Sequence, residues 1–411
     1  MRENTGRFAG VDVLRAFAVG IVMIHHFYSE KFFLAGFGVT LFFVLSSFFA
    51  TNSLLRFKDK LEAGQMRRGE CLRTFYFRRW MRIWPLYYFV LAVTLVAGTD
   101  FARASFWWNA AFLSNVRLAA TGEWPGRFSH LWSLSSLEQF YLLWPALVLW
   151  FPRKRLLPLA LGTIALGLAY DLGCEIFNLS PLYWFVVPIS SFNALGAGAL
   201  LSLCAAKVPG DAAMARIRWW TGKVCAPVFV ALLACKFFGC VPPGFTLYAG
   251  LIASLAFIHF IERVMTVPAR SGPARMIFEN RFLAHVGRMS YSIFLLHEFT
   301  ELLIPKFPAV QAVLHSDYRI VLLMPCTILL AHLSWKFIES PVLALRGKFQ
   351  ALPGYFAATP TSNTVFSPLR LESTHRETAK PAVVSASWGM MASSGAVDGP
   401  EVMNNPAGGL A

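Results

Sequence analysis

The sequence predicts an all-α, polytopic membrane protein with about ten transmembrane helices and both termini in the cytoplasm. Three observations predict it. The 411 residues are 56% hydrophobic and only 14% charged, with a mean hydropathy of +0.53, where a soluble protein carries about 25% charge. The chain divides into apolar stretches close to the ~20 residues that a bilayer requires. Lys and Arg alternate between the links that join those stretches, as the positive-inside rule demands.

The expected spans are 11–29, 32–54, 80–98, 131–151, 156–171, 181–205, 224–240, 245–262, 286–304 and 318–338, of which 156–171 is short. One set of links is basic. It holds Arg56, Lys58, Lys60, Arg67, Arg68, Arg73, Arg78 and Arg79, then Arg153 to Arg155, then Lys207, Arg216, Arg218 and Lys223, then Arg263, Arg270, Arg275, Arg281 and Arg288. The opposite links hold Lys31, then Arg103, Arg117 and Arg127, and later Lys306. This asymmetry accounts for most of the net charge of +15 without a nucleic-acid partner. No cleavable signal peptide is expected, because the polar start is followed by a run long enough to span. The seven cysteines form no CxxC pair and read as small packing residues. Residues 1–346 read as the transmembrane domain and 347–411, rich in Pro, Ser, Thr, Gly and Ala, as a disordered cytoplasmic tail. Trp107, Trp108, Trp124 and Trp132 surround the long outer link 99–130. They read as interfacial anchors or as the lining of an acceptor cleft.

Ionisable groups inside hydrocarbon are costly and mark sites. The first span carries Arg15 and His26 eleven residues apart. That spacing returns them to within about 20° of one helix face, about 16 Å apart along the axis. A neutral imidazole takes a proton from a hydroxyl near neutral pH, so His26 is a candidate general base. Asp12 and Arg15, at i and i+3, are expected to pair. Arg79 and Arg82 share a face at a helix N-terminus, where two guanidinium forks and the helix dipole suit a phosphate. Glu138 lies in the fourth span at a depth comparable to His26, and a Glu–His couple would orient the base. His297 lies in the ninth span on the face of Ser290. In the tenth, His332 and the stretch Trp335 to Pro341 read as an interfacial anchor and a helix stop. No P-loop, GxSxG or HExxH is present. His25, His26 and His297 come nearest to a zinc set without completing one, and no metal is expected.

Taken together these elements resemble the acyltransferase 3 family, integral membrane acyltransferases of cell-surface sugars and related acceptors, from Gly10 to about Val342. Asp12-Val13-Leu14-Arg15 with His26 is similar to its Arg-x10-His element. Gly36 to Phe49 resembles its second helix, with Ser47 where glycine is usual. Arg79-x-x-Arg82-Ile83-x-Pro85, Trp132-Ser133-Leu134 with Glu138-Gln139-Phe140-Tyr141, Ser290-Tyr291 with His297, and Phe337-Ile338-Glu339-x-Pro341 resemble its further motifs. The fourth-span motif departs from the pattern, because Leu137 stands where many members carry a first acid. No soluble esterase-like domain of the kind some members carry after the last span is expected within the tail 347–411.

The resemblance implies an enzyme of the bacterial inner membrane that moves an acyl group, acetyl in the simplest case, from cytoplasmic acyl-CoA to a hydroxyl of a saccharide or glycolipid. It implies that Arg79 and Arg82, helped by Arg15, hold the donor phosphates. It also implies that His26 acts as base, with Glu138 or His297 orienting the base or the acceptor. Two alternatives share the buried charges: an exporter of a lipid-linked or acylated glycan, and a catalytically silent homologue, which Leu137 keeps open.

Overall fold

The computed structural model describes residues 3–28, 34–97, 100–124, 126–180, 182–208, 210–242, 244–266, 272–304, 307–314, 316 and 318–350. Lys31, Arg270, Lys306 and the expected tail from 351 onward lie outside the described residues. Among the described residues every regular element is helical. Seven segments are long and apolar enough to cross a membrane: 10–27, 35–62, 153–176, 188–205, 211–237, 245–266 and 319–345.

The helices in order are α1 (Glu3–Phe27), α2 (Ala35–Glu62), α3 (Arg68–Val96), α4 (Asp100–Ala110), α5 (Ser114–Thr121), α6 (Leu131–Trp150), α7 (Arg153–Ile176), α8 (Tyr183–Val186), α9 (Phe192–Ala205), α10 (Asp211–Trp220), α11 (Ala226–Phe237), α12 (Phe245–Thr266), α13 (Pro273–Phe278), α14 (Arg281–Arg288), α15 (Ser290–Leu296), α16 (Pro308–Leu314), α17 (Arg319–Ser334) and α18 (Ser340–Gln350).

Three expected spans fall outside the seven, for two reasons. Helices α3 and α6 are long enough, but they carry Arg, Trp, Glu and Gln through their middles, which lowers their hydropathy. The 286–304 stretch is not one helix. It breaks at Met289 and passes from α15 into a 3₁₀ turn, His297–Leu303. The short expectation at 156–171 becomes the 24-residue α7. The expected stop at Pro341 is overturned. A π-turn, Trp335–Glu339, leads straight from α17 into α18, so Pro341 falls inside a continuous helical run, and the wider π-turn just before it is where the ladder adjusts to the missing N–H. The outer link is not a loop but carries α4 and α5.

The centre of the bundle is α2 against α9. Gly198 makes that approach possible, since a Cβ there would stand 2.2 Å from the Val44 carbonyl oxygen. Ser47, at the position where the resemblance expects glycine, is fully buried and donates its hydroxyl to the Leu195 carbonyl of α9. The serine thus serves as an interhelical tie. Helix α6 is pinned to α2 at both levels. Trp144 donates to Thr51 over 2.8 Å, and Lys58 Nζ reaches the carbonyls of Val148 and Phe151 at 3.1 and 2.7 Å, carbonyls that the end of α6 leaves unpaired. Helix α1 meets α14 so closely that a Cβ on Gly287 would overlap the Asp12 carbonyl at 1.7 Å. That contact fixes the Arg15 end of α1 against the segment that leads to His297.

Candidate active site

Two clusters of ionisable side chains sit along α1, one at its C-terminal end and one at its middle. At the end of that helix, His26 Nδ1 lies 2.9 Å from the Val22 carbonyl oxygen. A carbonyl only accepts, so Nδ1 carries a proton and Nε2 is the nitrogen left to face the site. Nε2 points at Glu298 Oε1, 3.5 Å away. His297 repeats the arrangement: Nδ1 donates to the Phe294 carbonyl over 2.7 Å, and Nε2 lies 3.5 Å from the same Glu298 oxygen. His297 is 1% exposed and its Nε2 has no hydrogen-bond partner. A third histidine, His130 at the start of α6, meets the His297 ring edge-on with centroids 5.0 Å apart, and its Nε2 lies 3.2 Å from the Leu295 carbonyl. His25 meets His26 edge-on at 5.0 Å.

Two arginines hold the backbone that carries these groups. Arg319, at the start of α17, donates to the carbonyls of Phe27 and His26 at 2.9 and 3.2 Å. These are carbonyls at the C-terminal end of α1, which lack helical partners, so Arg319 both caps the helix and fixes the position of His26. Arg127 does the same for the 3₁₀ turn, reaching the Glu298 carbonyl at 3.2 Å and the Glu301 carboxylate at 3.3 Å.

At the middle of α1, Arg15, Arg79 and Arg82 lie in one electrostatic neighbourhood with Asp12 and Tyr141. Asp12 is 3.8 Å from Arg15 and 4.0 Å from Arg288. Among the described residues neither Arg79 nor Arg82 forms an ion pair. Arg79 lies over the Tyr141 ring at 4.2 Å and Arg15 over Phe49 at 4.9 Å. The aromatic faces hold the guanidinium groups in place while leaving their N–H edges for a ligand. Glu339, 5% exposed, accepts from Ser292 and faces Arg82. The interfacial role expected for the 335–341 stretch therefore does not hold at Glu339. It is a buried carboxylate at the rim of the arginine cluster. Tyr291 ties the same segment to α3 by donating to the Ile83 carbonyl over 2.7 Å.

His26 and His297 come together, with ring centroids 5.0 Å apart, and Arg15, Arg79 and Arg82 come together. Glu138 joins neither histidine. Its neighbours are Arg79, Tyr87, Tyr88, Tyr141 and Tyr291, which places it on the arginine side. The expected Glu–His couple is thus built from a different acid, Glu298. The direction in which Glu138 faces depends on how α6 is rotated against its neighbours. Glu298, His130, Glu339, Arg127 and Arg319 are additional site residues. The ionisable pair His297-Glu298 within an apolar stretch was the signal available for Glu298.

A family model described as an acyltransferase domain, that of acyltransferase 3, matches residues 8–335. The chain belongs to the acyltransferase 3 family. Its similarity extends to the peptidoglycan O-acetyltransferase OatA of Listeria monocytogenes, 27% identical over 365 residues, covering 81% of this chain and 55% of that protein. A candidate O-acetyltransferase of Staphylococcus aureus is 26% identical over 369 residues, covering 81% and 56%. YrhL, a candidate peptidoglycan O-acetyltransferase of Bacillus subtilis, is 25% identical over 366 residues, covering 81% and 54%. The chain spans about half the length of the curated relatives it matches. No solved structure matches it. The two clusters on α1 lie inside the matched region.

Proposed function

We propose that the protein is a multi-pass enzyme of the bacterial inner membrane that transfers an acetyl group from acetyl-CoA to a hydroxyl of a cell-surface saccharide of the peptidoglycan type. The observation that carries the reading is the pairing along α1 of an arginine cluster at the middle of the helix with a histidine cluster at its C-terminal end, about 16 Å apart by helical rise. With the basic links inside and both termini cytoplasmic, the arginine cluster opens to the cytoplasm, where acyl-CoA is found. Arg79 and Arg82 hold the donor phosphates, helped by Arg15. The thioester reaches along the bundle past Glu138 and its tyrosines to the histidines.

There His26 Nε2 takes the proton of the sugar hydroxyl while the oxygen attacks the thioester carbonyl. As the tetrahedral intermediate collapses, the C–S bond breaks and His26 returns the proton to the departing thiolate sulfur. Glu298 stabilises the imidazolium that forms in between, and Arg127 holds the Glu298 main chain in place. Among the described residues no Ser or Cys side chain hydrogen-bonds His26, which favours direct transfer over an acyl-enzyme. The reaction so drawn needs no metal. Leu137 packs against the core as an apolar residue, and in this reading the acid missing there is supplied at the histidines by Glu298.

The test is acetyl transfer in membranes, using labelled acetyl-CoA and a surface-glycan extract, with wild type beside His26→Ala and Arg79→Ala at matched expression. Label entering the glycan in wild type and lost in both variants is the expected result. Equal labelling in all three overturns the assignment of His26. Glycan export that persists without label transfer favours the exporter reading.

A further inference from the structure

Three electron-pair donors converge at the His26 end of α1, and each is held there by other contacts. Both Nδ1 atoms are committed to carbonyl oxygens, at 2.9 Å for His26 and 2.7 Å for His297, so both Nε2 atoms face inward. Each Nε2 lies 3.5 Å from the same oxygen of Glu298. The buried Nε2 of His297 finds no hydrogen-bond partner, and the three ligand atoms lie within 4.8 Å of one another. Acceptors aimed at one point repel unless a positive charge sits among them, and the low dielectric of the bundle strengthens that repulsion.

We infer that His26, His297 and Glu298 form a binding site for a divalent transition cation, zinc above all, and that the cation inhibits the enzyme. The inhibition rests on the reading of His26 as base, while the cation site does not. Zinc bonds of about 2.0–2.2 Å to imidazole nitrogen and carboxylate oxygen place tetrahedral ligands about 3.4 Å apart. The two measured N···O separations of 3.5 Å match that edge. Each imidazole is oriented by a hydrogen bond from its other nitrogen, as metal-bound histidines are, and would take the cation on Nε2 in its neutral form. A set of two nitrogens and one oxygen selects zinc, copper or nickel over magnesium and calcium, which take oxygen ligands. His26 is about a quarter exposed at its side chain, so the fourth coordination position is open to an entering ion. A bound cation takes the Nε2 lone pair that would accept the sugar proton, so catalysis and metal binding exclude each other at this atom.

The experiment uses full-length protein in detergent, in a His332→Ala background. That substitution removes the second pair of facing imidazoles, His285 and His332, 3.1 Å apart on the surface. Zinc alone is titrated by calorimetry, and cobalt(II) is added separately for its tetrahedral visible absorption. Expected are one tight site per chain, a tetrahedral cobalt spectrum, and at least about ten-fold weaker binding in Glu298→Gln, a near-isosteric change that spares the fold. In the acetyl-transfer assay zinc inhibits over the range in which it binds, a chelator restores activity, and Glu298→Gln raises the inhibiting concentration by the same factor. Absence of a bound ion, or binding unmoved by both Glu298→Gln and His297→Ala, overturns the site. Binding at this site without inhibition overturns the link to the base. If wild type transfers no acetyl group, the cobalt spectrum still decides the site and the failure belongs to the proposed function.

Discussion

Replacing Glu298 by Gln removes one negative charge from beside His26 and changes little else. The carboxylate oxygen lies 3.5 Å from His26 Nε2. At that distance, with an effective dielectric of about 20, a full imidazolium–carboxylate pair is worth about 4.7 kcal/mol. Two factors reduce it. The side chains are 25% and 18% exposed, and only part of the charge has developed on the imidazole at the transition state. About 2 kcal/mol remains, in the range measured for hydrogen bonds to charged groups. That corresponds to about a 30-fold fall in kcat. KM for acetyl-CoA should stay within about two-fold, because the donor phosphates bind at the middle of α1 and the lost interaction is made only in the transition state. The assay is initial-rate acetyl transfer in reconstituted vesicles, with acetyl-CoA varied and the protein quantified. A kcat within three-fold of wild type would refute the placement of Glu298 as the carboxylate that serves the base, and a raised KM with kcat unchanged would move its role to substrate binding.

Arg79→Ala should raise KM for acetyl-CoA at least ten-fold. Arg82→Lys should recover only part of the loss that Arg82→Ala causes, because an ammonium cannot reproduce the bidentate fork; binding of labelled CoA to the purified variants checks both. Arg319→Gln removes two charge-assisted bonds to the carbonyls of His26 and Phe27. It should lower kcat about ten-fold while leaving KM for acetyl-CoA unchanged, and an unchanged kcat would show that α1 needs no such cap. Gly198→Ala places a methyl group 2.2 Å from the Val44 carbonyl oxygen, so α2 and α9 must separate. A destabilisation of about 1–3 kcal/mol is expected, read as a lower denaturation midpoint in detergent, whereas Gly36→Ala, with open space around the added atom, should leave the midpoint in place.

The class of the protein was legible in the chain because bilayer thickness and the cost of charge in hydrocarbon act on single helices, and a single helix is a one-dimensional object. The same reasoning placed Arg15 and His26 on one stripe and Arg79 beside Arg82, since the helical period alone determines which residues of a helix share a face. It failed where two helices had to be set against each other. Glu138 and Glu298 were both intramembrane acids within reach of a histidine in sequence terms. Only the rotation and depth of α6 and of the turn after α15 decided that Glu138 faces Arg79 and that Glu298 faces His26. The break at Met289 and the 3₁₀ turn at His297 could not be read either, because nothing local distinguishes Ser290-Tyr291-Ser292 from the middle of an ordinary span. Arg127 and Arg319 lie further still from sequence reasoning. Their partners are main-chain carbonyls, which every residue has, so no residue type marks the acceptor.

The sequence by itself therefore determined a helical membrane protein with a cation at one end of its first span and an imidazole at the other. The tertiary structure alone decided which acid serves that imidazole, because contacts between helices depend on packing angles and offsets that no period within one helix encodes.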